Sequence, residues 1–167
     1  MDERERVAVL YREHAGAARG LAMALTGDRA LAEDVTQDAF MRCAGRLTRL
    51  RDPERFRGYL LRAVIRAVID ADRKREVEIR SWTRANVSRP EPIDGPPLPG
   101  LAAELVAGLQ ALPVRQRTAV TARFLLDWSE RQTAAAMGCR VGTVKSLTSR
   151  GLASLRDALA EAGEVMP

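Results

Sequence analysis

Ser129-Glu-Arg-Gln-Thr-Ala-Ala-Ala-Met137, Gly138-Cys139-Arg140 and Val141-Gly-Thr-Val-Lys-Ser-Leu-Thr-Ser-Arg150 follow one another near the end of the chain. Ser129 suits an N-cap, and Gln132, three residues on, suits its reciprocal partner in a capping box. Ala135 and Met137 supply small apolar contacts, and Gly138 can take the positive φ that ends a short helix. In the next run Val144, Leu147, Gly151, Leu152 and Leu155 fall on one side at helical spacing, with Lys145, Ser146, Ser149 and Arg150 on the other. The spacing predicts two short helices joined by a tight Gly-containing turn, between Trp128 and Leu159. That is a helix-turn-helix, whose second helix can lie in a DNA major groove. Its cationic, hydroxyl-bearing outer face suits phosphates and base edges. The alternative is a helical hairpin whose polar residues merely face water.

The 167 residues suffice for one domain or two small ones. Aromatic residues are 4% of the chain, so its apolar content is mainly Ala, Leu and Val, which favours small helical bundles over a large mixed core. The fold class expected is all-α. A formal charge of +5 and a pI of ≈ 10.0 fit an anionic partner without identifying one. Lys occurs only at Lys74 and Lys145, and the other cations are Arg, whose planar fork suits phosphate and guanine edges. A genome rich in G and C would enrich Arg and Ala as well. Cys43 and Cys139 sit in apolar helical contexts and read as two buried, reduced thiols. The single His, His14, lies on an apolar helix face and reads as a packed, hydrogen-bonded histidine. No Cys/His cluster has metal-ligand spacing, so neither zinc nor another cofactor is expected. The amino terminus lacks a signal-peptide core and no apolar run could span a bilayer, so a cytoplasmic location is expected.

From the start, Val7, Leu10, Tyr11, His14, Ala18, Leu21 and Leu25 mark an amphipathic first helix. Gly27 ends it and Asp28 caps the next. The second helix buries Leu31, Val35, Phe40, Cys43 and Leu47 and presents Asp34, Gln37, Asp38 and Met41 on its other side. With no nearby His or nucleophile these carboxylates do not read as catalytic, and an acidic, partly apolar stripe suits a protein partner better. Leu50 to Arg55 is a loop, with Pro53 placed to open a helix. That third helix, Phe56 to about Arg75, has its apolar side at Leu60, Val64, Ala67, Val68 and Ala71. Arg55, Tyr59, Arg62, Arg66 and Arg73 form a basic–aromatic stripe able to neutralise phosphates and stack on an exposed base.

Glu76 to Gly100, with Pro90, Pro92, Pro96, Pro97 and Pro99, reads as a linker. A coil of about 25 residues has an r.m.s. span of ~25–30 Å and stretches to ~80 Å. Trp82 and Ile79 could dock locally. The helical pattern resumes with Leu101, Leu105, Leu109 and Leu112. Pro113 then opens an element, Val114 to Leu126, with Val120, Phe124 and Leu125 as core candidates.

Leu112-Pro113, Arg115-Gln-Arg117, Gly142-Thr-Val-Lys-Ser146 and Ser149-Arg150 resemble the C-terminal DNA-reading domain of bacterial sigma factors, the extracytoplasmic-function (ECF) group above all. Leu31 through Phe40 resembles the sigma helix that docks on the clamp of core RNA polymerase, and Phe56 to Arg75 the helix that recognises and opens the −10 promoter element. The resemblance covers residues 5–75 and 101–160. It implies a region 2-like domain over 1–75, a linker over 76–100 and a region 4-like domain over 101–167. It also implies polymerase contacts at Asp34, Gln37, Asp38 and Met41, and −10 contacts at Leu50, Tyr59, Arg62, Arg66 and Arg73. The −35 contacts implied are Arg123, Arg140, Thr143, Lys145, Ser146, Ser149 and Arg150. Core RNA polymerase and promoter DNA are the implied partners, and an anti-sigma factor is one the resemblance admits. Tyr59 stands where the family usually has Trp, Arg66 where it often has Asn, and Leu50 where a base-contacting residue can lie. Arg140 replaces a Ser or Thr cap, and Leu147 and Ser149 replace bulkier or basic residues.

The reading is therefore a non-enzymatic transcription initiation factor. One alternative is a sigma-like regulatory protein without autonomous promoter opening, motivated by Leu50, Tyr59 and Arg66. Another is a plain helix-turn-helix regulator, for which no dimerisation helix is evident. An enzyme lacks support, because no phosphate loop or nucleophile–base constellation is present.

Overall fold

A computed structural model of the chain describes residues 2–46, 52–81 and 102–164, and all its regular structure is helical. Helices α1 (Glu3–Thr26), α2 (Arg29–Ala44) and α3 (Pro53–Ser81) form a first bundle. Helices α4 (Ala103–Ala111), α5 (Val114–Val120), α6 (Glu130–Met137) and α7 (Val141–Glu164) form a second, with a π-helical turn, Thr121–Leu125, between α5 and α6.

Local chemistry sets the ends of the first bundle's helices. Gly27 is left-handed at φ 66° and its N–H bonds to Met23 O at 2.9 Å, which closes α1. The Asp28 carboxylate accepts from Leu31 N at 3.1 Å and starts α2. Asp52 accepts from Glu54 N at 3.1 Å, and Pro53 follows as the first residue of α3, where a missing N–H is no loss. Between these ends, Leu21 and Leu25 pack with Ala32, Val35 and Ala39 and with Phe56, Leu60, Val64 and Ile65. Each such large side chain contributes roughly 1.5–3 kcal/mol by leaving water. Tyr11, Phe40, Phe56 and His14 extend this core as a chain of tilted rings 4.8–5.7 Å apart. His14 is thus a packed residue. Its nearest carboxylate, Glu13, lies at 3.9 Å, beyond hydrogen-bond distance.

In the second bundle Leu109, Leu112, Val120 and Leu155 form a smaller core, with Leu105, Leu125 and Leu152 against it. Gly151 lets α7 approach α5 closely, since a Cβ there would meet Val120 Cγ2 at 2.7 Å. The two bundles are packed on each other. Ala119, Ala122, Ala136 and Met137 belong to the same buried cluster as the core of α1–α3.

Five expectations are corrected. Helix α3 continues through Ser81, past the linker boundary expected at Glu76, because Glu76-Val-Glu-Ile-Arg-Ser81 contains no breaker and its Glu and Arg residues favour helix. Helix α7 is a single helix of 24 residues, not a short one, since nothing after Leu159 stops it before Glu164. Phe124 is 57% exposed and not core. The π-helical turn explains this: Leu126 N bonds to Thr121 O, five residues back, which adds a residue to the turn and rotates Phe124 off the buried side. Ala135 is exposed, because α6 buries Thr133, Ala134, Ala136 and Met137 instead. Cys139 is only half-buried; Cys43 is buried, its thiol pushed up by that burial against a smaller opposing pull from Arg46. Leu47, Leu50, Trp82 and Leu101 lie outside the described residues.

Candidate nucleic-acid interface

The helix-turn-helix is built from its caps outward. Ser129 Oγ accepts from Gln132 N at 3.1 Å while Gln132 Oε1 accepts from Ser129 N at 2.8 Å, completing the capping box of α6. Gly138 ends α6 at φ 67°, and Cys139 N bonds back to Ala134 O at 3.1 Å. The Arg140 carbonyl then accepts from Thr143 N and Val144 N at 3.0 and 3.2 Å, so the backbone of Arg140 starts α7 in place of a side-chain cap. Burial of Val144, Gly151 and Leu155 fixes the rotation of α7. Thr143, Lys145, Ser146, Ser149 and Arg150 consequently stand exposed on its outer side, with Arg140 at its head. Lys145 Nζ lies 3.8 Å from Glu130 Oε2, an exposed pair too solvated to hold the lysine back from another anion. Arg123 is half-buried, and its guanidinium donates to the Trp128 carbonyl, bracing the turn that leads into α6.

On α3, Tyr59 is 43% exposed and the Arg62 guanidinium lies 6.0 Å from its ring centroid. Arg55 pairs with Asp52 at 3.5 Å. Arg66 differs from its neighbours: it is half-buried and reaches across to the second bundle, filling the space a Cβ on Gly138 would need. Arg73 is exposed, two turns beyond Arg66 on α3, and does not line the cleft that the others share.

Arg42, Arg46, Arg55, Tyr59, Arg62 and Arg66 line a cleft of ≈ 1020 Å³ whose far wall is Ala135 and Ala136 of α6. The first bundle thus supplies every cation of the cleft and the helix-turn-helix supplies a wall. Arg42 and Arg46 were not among the residues expected from sequence. Their signal was present, since Arg42 follows Asp38 by one helical turn, but only the approach of α3 makes them neighbours of the stripe. Also on α2, Asp34, Gln37, Asp38 and Met41 are all exposed, Met41 to 74%, and Asp38 lies 3.8 Å from Arg42 one turn on. Among the described residues no cluster of His, Cys, Asp and Glu is placed to hold a metal, and no helix is long and apolar enough to cross a membrane.

Family patterns described as Sigma-70 region 2 and Sigma-70 region 4 match residues 10–77 and 102–155. SigL of Mycobacterium tuberculosis, an ECF RNA polymerase sigma factor, is 31% identical over 164 residues, covering 92% of this chain and 89% of SigL. The chain belongs to the ECF sigma factor family. Another family member, SigE of Mycolicibacterium smegmatis, is 33% identical over 157 residues, 91% of this chain but 61% of SigE, so the chain spans less than two thirds of that relative's length. Among solved structures, RpoE of Bartonella quintana in complex with the anti-sigma factor NepR matches with TM-score 0.63 at 21% identity, covering 98% of each chain. CnrH in complex with the cytosolic domain of CnrY matches with TM-score 0.57 at 21% identity over 95% of this chain and 90% of CnrH. At those identities the two structures speak for the ECF sigma fold alone.

Proposed function

We propose that this ECF family member binds core RNA polymerase and directs it to promoters through two DNA contacts, leaving all bond making to the polymerase. The observation that carries the reading is the outer row of α7. Lys145, Ser146, Ser149 and Arg150 are all exposed while Val144 on the same helix is fully buried, so packing holds the reading side outward. In this reading the row enters the major groove of the −35 element, with Arg140, Thr143 and the unused donors of Arg123 at its margins. Tyr59, Arg62, Arg66 and Arg73 engage the −10 element, the arginines on phosphates and Tyr59 against an unstacked base. Leu50, assigned to the same element, lies outside the described residues. Asp34, Gln37, Asp38 and Met41 form the polymerase contact, where exposed Met41 supplies apolar area within a ring of acid and amide groups.

Run-off transcription by core polymerase with this protein, on a promoter library, tests the reading. Transcripts from a narrow set sharing two spaced elements are expected. Tight binding to the polymerase without any transcript would favour a sigma-like regulator instead.

A further inference from the structure

The arginine cleft holds more positive charge than the structure neutralises. Arg55, Arg62 and Arg66 follow one another on α3 at steps of two turns and one turn, with Tyr59 between the first two, so the four share one side over ~16 Å of helix. Arg42, in the last turn of α2, and Arg46, just past its end, line the same cleft. Asp52 is the single carboxylate of the lining, and it lies 3.5 Å from Arg55. Arg42 has Asp38 at 3.8 Å and Asp70 at 3.9 Å, solvated pairs that leave its donors open to another anion. Arg46, Arg62 and Arg66 pair with no carboxylate among the described residues. The remaining lining is apolar: Cys43, Ala63, Ala135 and Ala136.

We propose that this cleft is a binding site for a nucleoside polyphosphate, with the phosphates among Arg42, Arg46, Arg62 and Arg66 and the base against Tyr59. Its volume of ≈ 1020 Å³ is that of a large small-molecule site, a class that runs to about 1,000 Å³, and admits no double helix. Guanidinium groups gathered around one cleft call for an anion of matching charge density. A polyphosphate carries several charges on one short chain, whereas a nucleic-acid strand carries one per nucleotide. Guanidinium forks also take phosphate oxygens in pairs. Tyr59 is 43% exposed beside the Arg62 guanidinium, 6.0 Å from its centroid, so ring surface is open to a base of any identity. The promoter reading gives Arg42 and Arg46 no role, and this site uses both. A nucleotide held here also covers Tyr59, Arg62 and Arg66, and so competes with the −10 element. That competition rests on the promoter reading above; the binding itself does not.

Calorimetric titration of the full chain with adenosine triphosphate, at about 0.15 M salt so that diffuse attraction is screened, tests the site without DNA. Saturable binding with a Kd below about 1 mM is expected, and its absence overturns the site. Arg46→Ala, at an exposed position, should weaken adenosine triphosphate and inorganic tripolyphosphate alike by about ten-fold, through one lost charge-assisted contact. Tyr59→Ala should weaken the nucleotide by about ten-fold and leave tripolyphosphate unchanged; equal losses for both would overturn the place given to the base. Arg156→Ala removes the same charge from an exposed position of α7 and should alter neither. A loss matching that of Arg46→Ala would reduce the binding to diffuse charge and overturn the site. Circular dichroism checks each variant, and should Arg46→Ala lose helicity, Arg46→Gln takes its place. With core polymerase, adenosine triphosphate should weaken capture of labelled promoter DNA by the wild type, and Arg46→Ala should need about ten-fold more nucleotide for the same effect. Equal sensitivity would overturn the competition. Failure of both proteins to capture any promoter would overturn the promoter reading and leave the titration result standing.

Discussion

Arg117 keeps only 7% of its surface exposed, and its guanidinium is spread over the carbonyls of Leu109, Gln110 and Leu112 at the end of α4 and of Leu25 at the end of α1. Burial lowers its pKa and the nearby Asp72 carboxylate opposes that, so the charge is held by carbonyl dipoles more than by a bonded acid. A lysine cannot fork to these acceptors. Arg117→Lys should therefore destabilise the protein by on the order of 2–4 kcal/mol, through buried carbonyls left unmet, seen as a lower urea midpoint. Asp72, half-buried on α3, has its pKa raised chiefly by burial and also by Glu76, against attraction from Arg75, Arg117 and Arg115. The folded state therefore binds this proton more readily than the unfolded state, and its contribution to stability grows as pH falls through the raised value towards the ordinary carboxylate range. Above that window the charged form is a liability. Asp72→Asn should keep or raise the melting temperature at neutral pH and flatten its acid dependence. A clear fall at neutral pH would show that the attraction from the arginines wins.

At the scale of elements, the π-helical turn after α5 separates two residues that a regular helix would both bury. Val120 is 4% exposed and Phe124 57%. Val120→Ala should cost about 1–3 kcal/mol by removing buried methyls, whereas Phe124→Ser should lie within ~0.5 kcal/mol of wild type; equal losses in thermal melts would contradict this register. Helix α2 offers a separable test, because its acidic face takes no part in its core. Asp34→Arg with Gln37→Ala should leave helicity unchanged and weaken polymerase binding by about 1–3 kcal/mol if those contacts are central; undiminished co-purification would remove the assignment. For α7, Lys145→Ala and Arg150→Ala should each reduce the salt slope of promoter binding by about 1 where the contact is to phosphate. A base-reading contact would instead relax preference at one position by ~1–3 kcal/mol. Unaltered promoter binding by the double alanine variant would mean that another surface reads the DNA.

At the scale of the whole molecule, Arg66 joins the two bundles and also occupies a position assigned to −10 reading. An arginine only donates hydrogen bonds, whereas asparagine both donates and accepts. Arg66→Asn should shift the −10 preference and lessen the salt sensitivity of run-off transcription, measured across a −10 library at two salt concentrations. Identical profiles would exclude Arg66 as a reader. Features governed by contacts within a turn or two were legible in the sequence: the Ser129–Gln132 box, Gly27 followed by Asp28, Gly138, and the outward row of α7. Caps and helical phase depend on neighbours three or four residues away, so they are written locally. The ends of α3 and α7 escape such a reading because nearby prolines and a short motif draw the boundary in too early, ahead of plain helix propensity, and Phe124 escapes it where a single extra residue changes the phase. The closing of the bundles on each other, the service of Arg117 to α1 as well as α4, and the half-withdrawal of Arg66 from solvent all come from long-range packing. The Gln110 and Arg117 bonds to α1 join residues 86 and 92 positions apart. Such bonds follow from which carbonyls remain unmet once each bundle has formed, and helical periodicity carries no record of that.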